Sequence, residues 1–196
     1  MKKFLKEWGI YIALVIVVIF LRFFVFPFVN VDGHSMDPTL ENKDRIVTYR
    51  FAELQRFDIV VATLEKKKII KRLIGMPGDK VHYDNDQLYI NDKKYGEPYL
   101  DEYKKLWKKD KLQKTFSYDS DFQYYAYTID AFTVNSMKET KFTINVPKGK
   151  YLLLGDNRPV SKDGRVLGSF SASQIDGKAK FIFWPPRRFG MLKNGK

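Results

Sequence analysis

Apolar and polar positions divide the chain into one long apolar run and a series of short alternating ones. From Trp8 to Val29 the only charged residue is Arg22. Crossing a bilayer core takes about 20 apolar residues, so residues 8–29 predict a transmembrane anchor. Trp8 and Tyr11 at one end and the phenylalanines around Phe23–Phe28 at the other suit the two interfaces. Arg22 lies near the far end, where its stem can snorkel toward headgroups. The run is long for the core of a signal peptide and ends without a small-x-small pattern, so the anchor is expected to stay uncleaved. Lys2, Lys3 and Lys6 place residues 1–7 in the cytoplasm. A single-pass protein of the cell membrane follows, with everything beyond residue 29 extracytoplasmic.

From Asn30 the texture changes to short runs separated by turn signals. Asp44–Tyr49, Asp58–Leu64, Lys68–Met76, Lys80–Tyr83, Gln87–Ile90, Phe142–Val146, Lys150–Leu154 and Lys178–Phe183 each predict a strand. Pro77-Gly78-Asp79 and Asn91-Asp92 predict turns between them. Between about 97 and 145 the alternation fades, and the segment is read as an insertion or cap. The expected fold class is mainly β: one N-terminal transmembrane helix, then an all-β catalytic domain over 30–196 carrying that cap subdomain.

Composition narrows the chemistry. The chain has 196 residues, 44% hydrophobic and 16% aromatic, enough for a packed core. It contains no cysteine, which excludes disulfides, thiolate nucleophiles and cysteine metal sites. Two scattered histidines and no His-Glu-x-x-His leave no metal centre to propose, and no cofactor is expected. The net charge of +12 suits anionic headgroups, so membrane lipid is an expected partner. No aromatic-and-basic recognition motif accompanies that charge, so nucleic acid is not. Lys104–Lys114 holds six lysines against one aspartate, most simply a solvated face.

The residues that carry chemistry begin just past the anchor, with Ser35 in Val31-Asp-Gly-His-Ser-Met-Asp-Pro-Thr-Leu40. A serine hydroxyl needs a base to become a nucleophile. His34 is its direct neighbour and points the other way on an extended chain. His82 sits in an expected strand near Asp84 and Asp86. The remaining type of base is a lysine kept neutral by burial. Lys71 lies inside Ile69-Ile-Lys-Arg-Leu-Ile-Gly75. Strand alternation puts it on one face with Ile69 and Leu73, and Arg72 on the other with Ile70 and Ile74. Taken alone, a strand lysine of this kind is more often an edge or snorkelling residue than a base.

Three ordered motifs decide between these readings. Ser35-Met-Asp-Pro-Thr-Leu40, Lys71-Arg-Leu-Ile-Gly-Met-Pro-Gly-Asp79 and Gly155-Asp-Asn-Arg158 follow a single anchor. In this the chain resembles the type I signal peptidases, the bacterial leader peptidases, in their Gram-positive form with one anchor. The resemblance runs from the anchor to Trp184-Pro185 and is weakest in the insertion. It implies a membrane-anchored serine endopeptidase that removes signal peptides from secreted preproteins by a Ser-Lys dyad and an acyl-enzyme, cutting after Ala-x-Ala. By position, Ser35 would be the nucleophile and Lys71 the general base. Ser161 would orient the lysine, and Asp163 and Arg165 would form a supporting ion pair. Gly164 stands where the family commonly has serine, which is expected to loosen that turn. Gly33 stands where some members place a hydroxyl for the oxyanion, leaving the Ser35 N–H as one donor. Val29, Val31, Met36, Leu40, Ile69 and Ile70 are placed to line shallow pockets for small side chains. The enzyme is expected to be monomeric, with preprotein signal peptides as its substrates. Two other readings are a self-processing repressor-type Ser-Lys protease, which lacks support because no Ala-Gly dipeptide or DNA-binding segment is present, and a catalytically silent docking protein, which the pairing of Ser35 with Lys71 argues against.

Overall fold

A computed structural model describes residues 2–192, with residues 2–7 as backbone only. Helix α1 (Lys2–Phe20) runs into a π-helical turn, Leu21–Val25. The stretch Trp8–Val25 is long and apolar enough to cross a membrane, and none of it is buried in the protein. The helical run stops at Val25, short of the expected Val29, because the chain is already strand at Phe28. The Arg22 guanidinium lies 3.4 Å from the centre of the Phe28 ring, a cation–π contact where the anchor meets the domain.

The domain is built on two antiparallel sheets. The larger has eight strands: β1 (Phe28–Asn30), β2 (Arg45–Tyr49), β11 (Ile175–Trp184), β3 (Ile59–Leu64), β4 (Lys67–Gly75), β9 (Lys150–Leu154) and β10 (Phe170–Ser171) in that spatial order, with β12 (Gly190–Met191) paired to β11. The smaller has the order β7 (Lys93–Tyr95), β6 (Gln87–Ile90), β5 (Lys80–Asp84), β8 (Lys141–Asn145). Val29, Leu40, Ile46, Ile59 and Ile70 pack in one apolar cluster formed by the larger sheet and residues 31–40, and Ile74, Val81, Tyr83 and Leu88 in another that joins the two sheets. The eight predicted strands all appear, within a few residues of their expected ends.

The insertion is helical. Helix α2 (Asp101–Asp110) and α3 (Ser120–Tyr127) are both amphipathic. Tyr103 and Trp107, one helical turn apart, bury with Leu112, Phe116, Phe122 and Phe132 into a core of the cap's own. Lys105, Lys108 and Lys109 cover the outside, while Lys104 turns inward and donates to the Asp86 carbonyl at 3.0 Å. The Asp119 side chain caps α3 by accepting from the Phe122 N–H at 2.9 Å. The cap ends before residue 141, since β8 is part of the smaller sheet.

Register in the larger sheet opens a site. β4 pairs with β3 along Lys67–Arg72. On its other side β9 joins only from Arg72 onward. Lys67–Lys71 therefore present a free strand edge, and it faces the turn that carries Ser35.

Candidate active site

Residues 34–40 curl into a compact turn, with the Leu40 N–H donating to the Met36 carbonyl at 3.0 Å. Ser35 opens the turn. Its carbonyl accepts from Asn157 N at 3.1 Å, and the His34 carbonyl accepts from Asn157 Nδ2 at 3.0 Å. The Ser35 N–H donates to no described residue. Its hydroxyl meets the Lys71 ammonium head at 2.6 Å, across 36 residues of sequence.

The surroundings of Lys71 differ from the one-sided strand expected from alternation. From Ile70 to Gly75 every residue of β4 is buried, on both faces. Lys71 is 4% exposed and its neighbour Arg72 0%. Arg72 is matched by Asp156, which accepts from Nε at 2.8 Å and Nη2 at 2.6 Å, while Nη1 donates to the Phe57 carbonyl. Lys71 has no carboxylate within salt-bridge reach among the described residues. Burial pushes its pKa down to about 8, with Asp163 and Asp156 pulling back up and Arg165 pushing further down.

Each residue of Gly155-Asp-Asn-Arg158 has a distinct partner. The Gly155 N–H donates to Asp163 Oδ2 at 2.9 Å. A side chain at Gly155 would strike the Ser161 hydroxyl and the Ser35 carbonyl, so only glycine lets these chains approach. Asp156 also takes the Thr39 hydroxyl at 2.5 Å, tying the serine turn to β4. Arg158 is fully enclosed: it pairs with Glu97, donates to Tyr83 Oη at 2.8 Å and donates to the Gly155 carbonyl at 3.0 Å. Burial alone would raise the Glu97 carboxyl, but the Arg158 and Lys104 charges and the hydrogen bonds from Arg158 and Tyr99 together hold the group below the usual range.

These motifs already had counterparts among known proteins. The family model described as "Signal peptidase, peptidase S26" matches residues 3–184. Signal peptidase I of Streptococcus pneumoniae is 48% identical over 96% of this chain and 97% of its own length. The chain belongs to the signal peptidase family, peptidase S26. It is therefore a peptide-bond hydrolase, a serine peptidase whose substrate is the signal peptide of a preprotein, and its apolar N-terminal helix fits a membrane-anchored member. Signal peptidase IB of Staphylococcus aureus is 41% identical over 96% of this chain and 94% of its own. A crystal structure of a signal peptidase I from Enterococcus faecalis V583 matches 65% of this chain and 97% of that one at 31% identity, with a TM-score of 0.43.

Within this family member the other expected site residues fall into two groups. Asp163 and Arg165 pair bidentately, with both contacts from the guanidinium to the two carboxylate oxygens at 2.9 Å. Arg165 also donates to the carbonyls of Val134 and Arg158, so the pair ties the cap's last turn to the third motif. Burial pushes the Asp163 carboxyl up, and the Arg165 charge together with the hydrogen bonds the carboxylate accepts, from Arg165 and the Gly155 N–H first, more than offsets it. Ser161 is buried beside this pair, but its hydroxyl makes no hydrogen bond of good geometry with Lys71 or any other described residue. Gly164 does not loosen its turn. It is buried at the start of α4 (Gly164–Leu167), where a Cβ would come within 2.6 Å of Leu152 Cδ1 and 2.9 Å of the Leu153 carbonyl.

Beside Ser35 and Lys71 lies a narrow cavity of about 100 Å³ between residues 30–36 and the free edge of β4. Val31, Met36, Ile69 and Ile70 line it. Val29 and Leu40 do not; they are packed in the core cluster behind. The two histidines are engaged elsewhere. His34 faces Asp37 at 2.9 Å and Tyr118 at 3.3 Å, and His82 faces Thr143 at 3.0 Å. Sequence reasoning missed Arg72, Glu97, Asn157 and Arg158. Three of these lie inside the quoted motifs, where adjacency was the available signal; nothing in the local pattern marks Glu97.

Proposed function

We propose that this enzyme cuts preproteins after Ala-x-Ala through a Ser35–Lys71 dyad and an acyl-enzyme on Ser35. The observation that carries the reading is the 2.6 Å contact between the Lys71 Nζ and the Ser35 Oγ at the end of a narrow cavity that Val31, Met36, Ile69 and Ile70 line together with polar residues. Neutral Lys71 takes the hydroxyl proton as Ser35 attacks the scissile carbonyl. The resulting ammonium then gives that proton to the leaving amine of the mature chain. Water, deprotonated by Lys71, attacks the ester and frees the signal peptide. The Ser35 N–H, which donates to no described residue, is left free to serve the oxyanion. Asp163 and Arg165 act at one remove: the carboxylate fixes Gly155, and Gly155 sets how closely Ser35 and Ser161 approach. The substrate adds as an extended strand along the open edge at Lys67–Lys71. A cavity of about 100 Å³ lined in part by Val31, Met36, Ile69 and Ile70 has room for an alanine side chain. The N-terminus lies in the cytoplasm, the domain outside next to anionic lipid, and the protein acts as a monomer.

The dyad fixes the sign of the pH dependence. A lysine base works only when neutral, so activity is lost as pH falls through its pKa. Cleavage of an Ala-x-Ala preprotein is expected to rise with pH and reach half its plateau near about 8. A kcat/KM profile with its half-point at an ordinary histidine pKa, shifted in His34→Ala, would oppose a lysine base.

A further inference from the structure

On the far side of the serine turn a second cavity, about 520 Å³, opens between that turn and the cap. His34, Asp37 and Glu41 form one wall; Glu102, Tyr103 and Tyr118 face them from the cap. It contains no residue of β4 and shares no lining residue with the cavity beside Lys71; Ser35 borders that one, and its chain neighbour His34 borders this one.

The lining is acidic on a basic protein. It holds three carboxylates and no lysine or arginine, although the chain carries a net +12. Glu41 is already matched from outside by Arg188 at 2.5 Å, and Asp37 Oδ2 faces His34. Asp37 Oδ1 has no partner: the residue is 5% exposed and that oxygen is buried without a hydrogen bond among the described residues. An unmatched buried acceptor is costly, and a donor entering the cavity would relieve it. Glu102 is exposed on the opposite wall. Burial and the charges of Asp37, Glu102 and Glu41 all push the Tyr103 hydroxyl pKa up, as three carboxylates converging on one point would. The Tyr103 and Tyr118 rings offer faces for an aliphatic stem or a cation.

We propose that this cavity is a specificity subsite for the mature side of the cut, taking a lysine or arginine side chain from the start of the mature chain. The inference rests on the dyad reading. If the signal peptide occupies the slot along β4 and is held on Ser35, the leaving half of the substrate must continue past the turn, and this cavity is the opening there. The cation docks between Asp37 Oδ1 and Glu102, and its stem lies on Tyr103 and Tyr118.

The test uses the full-length enzyme in detergent. Peptides share one signal segment ending in Ala-x-Ala, with an all-alanine mature segment as reference; lysine, glutamate or norleucine is scanned through that segment one position at a time. At one position lysine should exceed glutamate in kcat/KM by about tenfold, the scale of a partly desolvated charge pair, against the repulsion expected from the protein's net charge. Norleucine should fall between them. Glu102→Lys should bring that ratio to one or reverse it. Equal rates for lysine and glutamate at every position would overturn the subsite, as would norleucine matching lysine or a ratio that persists in Glu102→Lys. Failure to cleave the reference peptide would instead overturn the dyad reading on which the subsite depends.

Discussion

Replacing Lys71 with methionine is expected to lower kcat/KM on an Ala-x-Ala preprotein by about a thousandfold while leaving the fold intact. A positioned general base contributes about 10² to 10⁴ in rate, and in the proposed mechanism Lys71 supplies both the base and the acid. Methionine has a similar length and no charge, and the site is already apolar, so the substitution removes the proton acceptor without burying anything unmatched. Stability should hold or rise slightly, because Lys71 is buried with no carboxylate beside it. Lys71→Arg separates the two properties in another way. It keeps a cation near Ser35 but stays protonated at every accessible pH, so it should be as inactive as methionine. A thermal melt together with single-turnover cleavage checks both. Full activity in Lys71→Arg would show that position 71 does not act as a base.

Glu97→Ala should cost about 3–5 kcal/mol of stability, the range for stripping one partner from a buried ion pair. Arg158 is 1% exposed and sits between the cap and the third motif. Without Glu97 its guanidinium keeps bonds to Tyr83 and the Gly155 carbonyl but loses the one carboxylate it pairs with among the described residues. Lys104, whose ammonium stands 3.9 Å from Glu97, loses a partner as well. The effect should reach the active site through Gly155, since the same guanidinium holds that carbonyl. Glu97→Ala combined with Arg158→Met should recover much of the loss, because removing both charges leaves no unmatched ion. Chemical denaturation of the four proteins of that cycle measures the coupling. Additive losses would show that the pair is not energetically linked.

How much of this was legible in the chain depended on whether the signal was local. The strands of the sheets were readable because alternation and turn residues act over a few positions; Asp58–Leu64 and Pro77-Gly78-Asp79 are examples. The nucleophile and base could be named from chemistry and motif order, and their geometry is compatible with that reading. The cap's helices escaped because the six lysines of 104–114 mask a narrow apolar stripe. Only Tyr103 and Trp107 of α2 are buried, too few to stand out in so charged a segment. Residues 67–75 were misjudged differently. Alternation placed Arg72 on the face opposite Lys71 but gave it no partner, because Asp156 lies 84 positions away. The tight fit of Gly155 and Gly164 likewise depends on chains that meet only in three dimensions. Ser161 was expected to orient Lys71; its hydroxyl makes no hydrogen bond of good geometry with the lysine and lies instead within the influence of Asp163.

The central claim is that the Ser35 oxygen, activated by Lys71, is the atom that attacks the preprotein. Its most direct measurement is cleavage of an Ala-x-Ala preprotein by purified Ser35→Ala, a substitution that removes one oxygen and leaves the turn's backbone bonds to Asn157 in place. The expected result is a folded protein with no cleavage above the enzyme-free rate, while the wild type cuts after the second alanine. Cleavage at the wild-type rate by Ser35→Ala would contradict it.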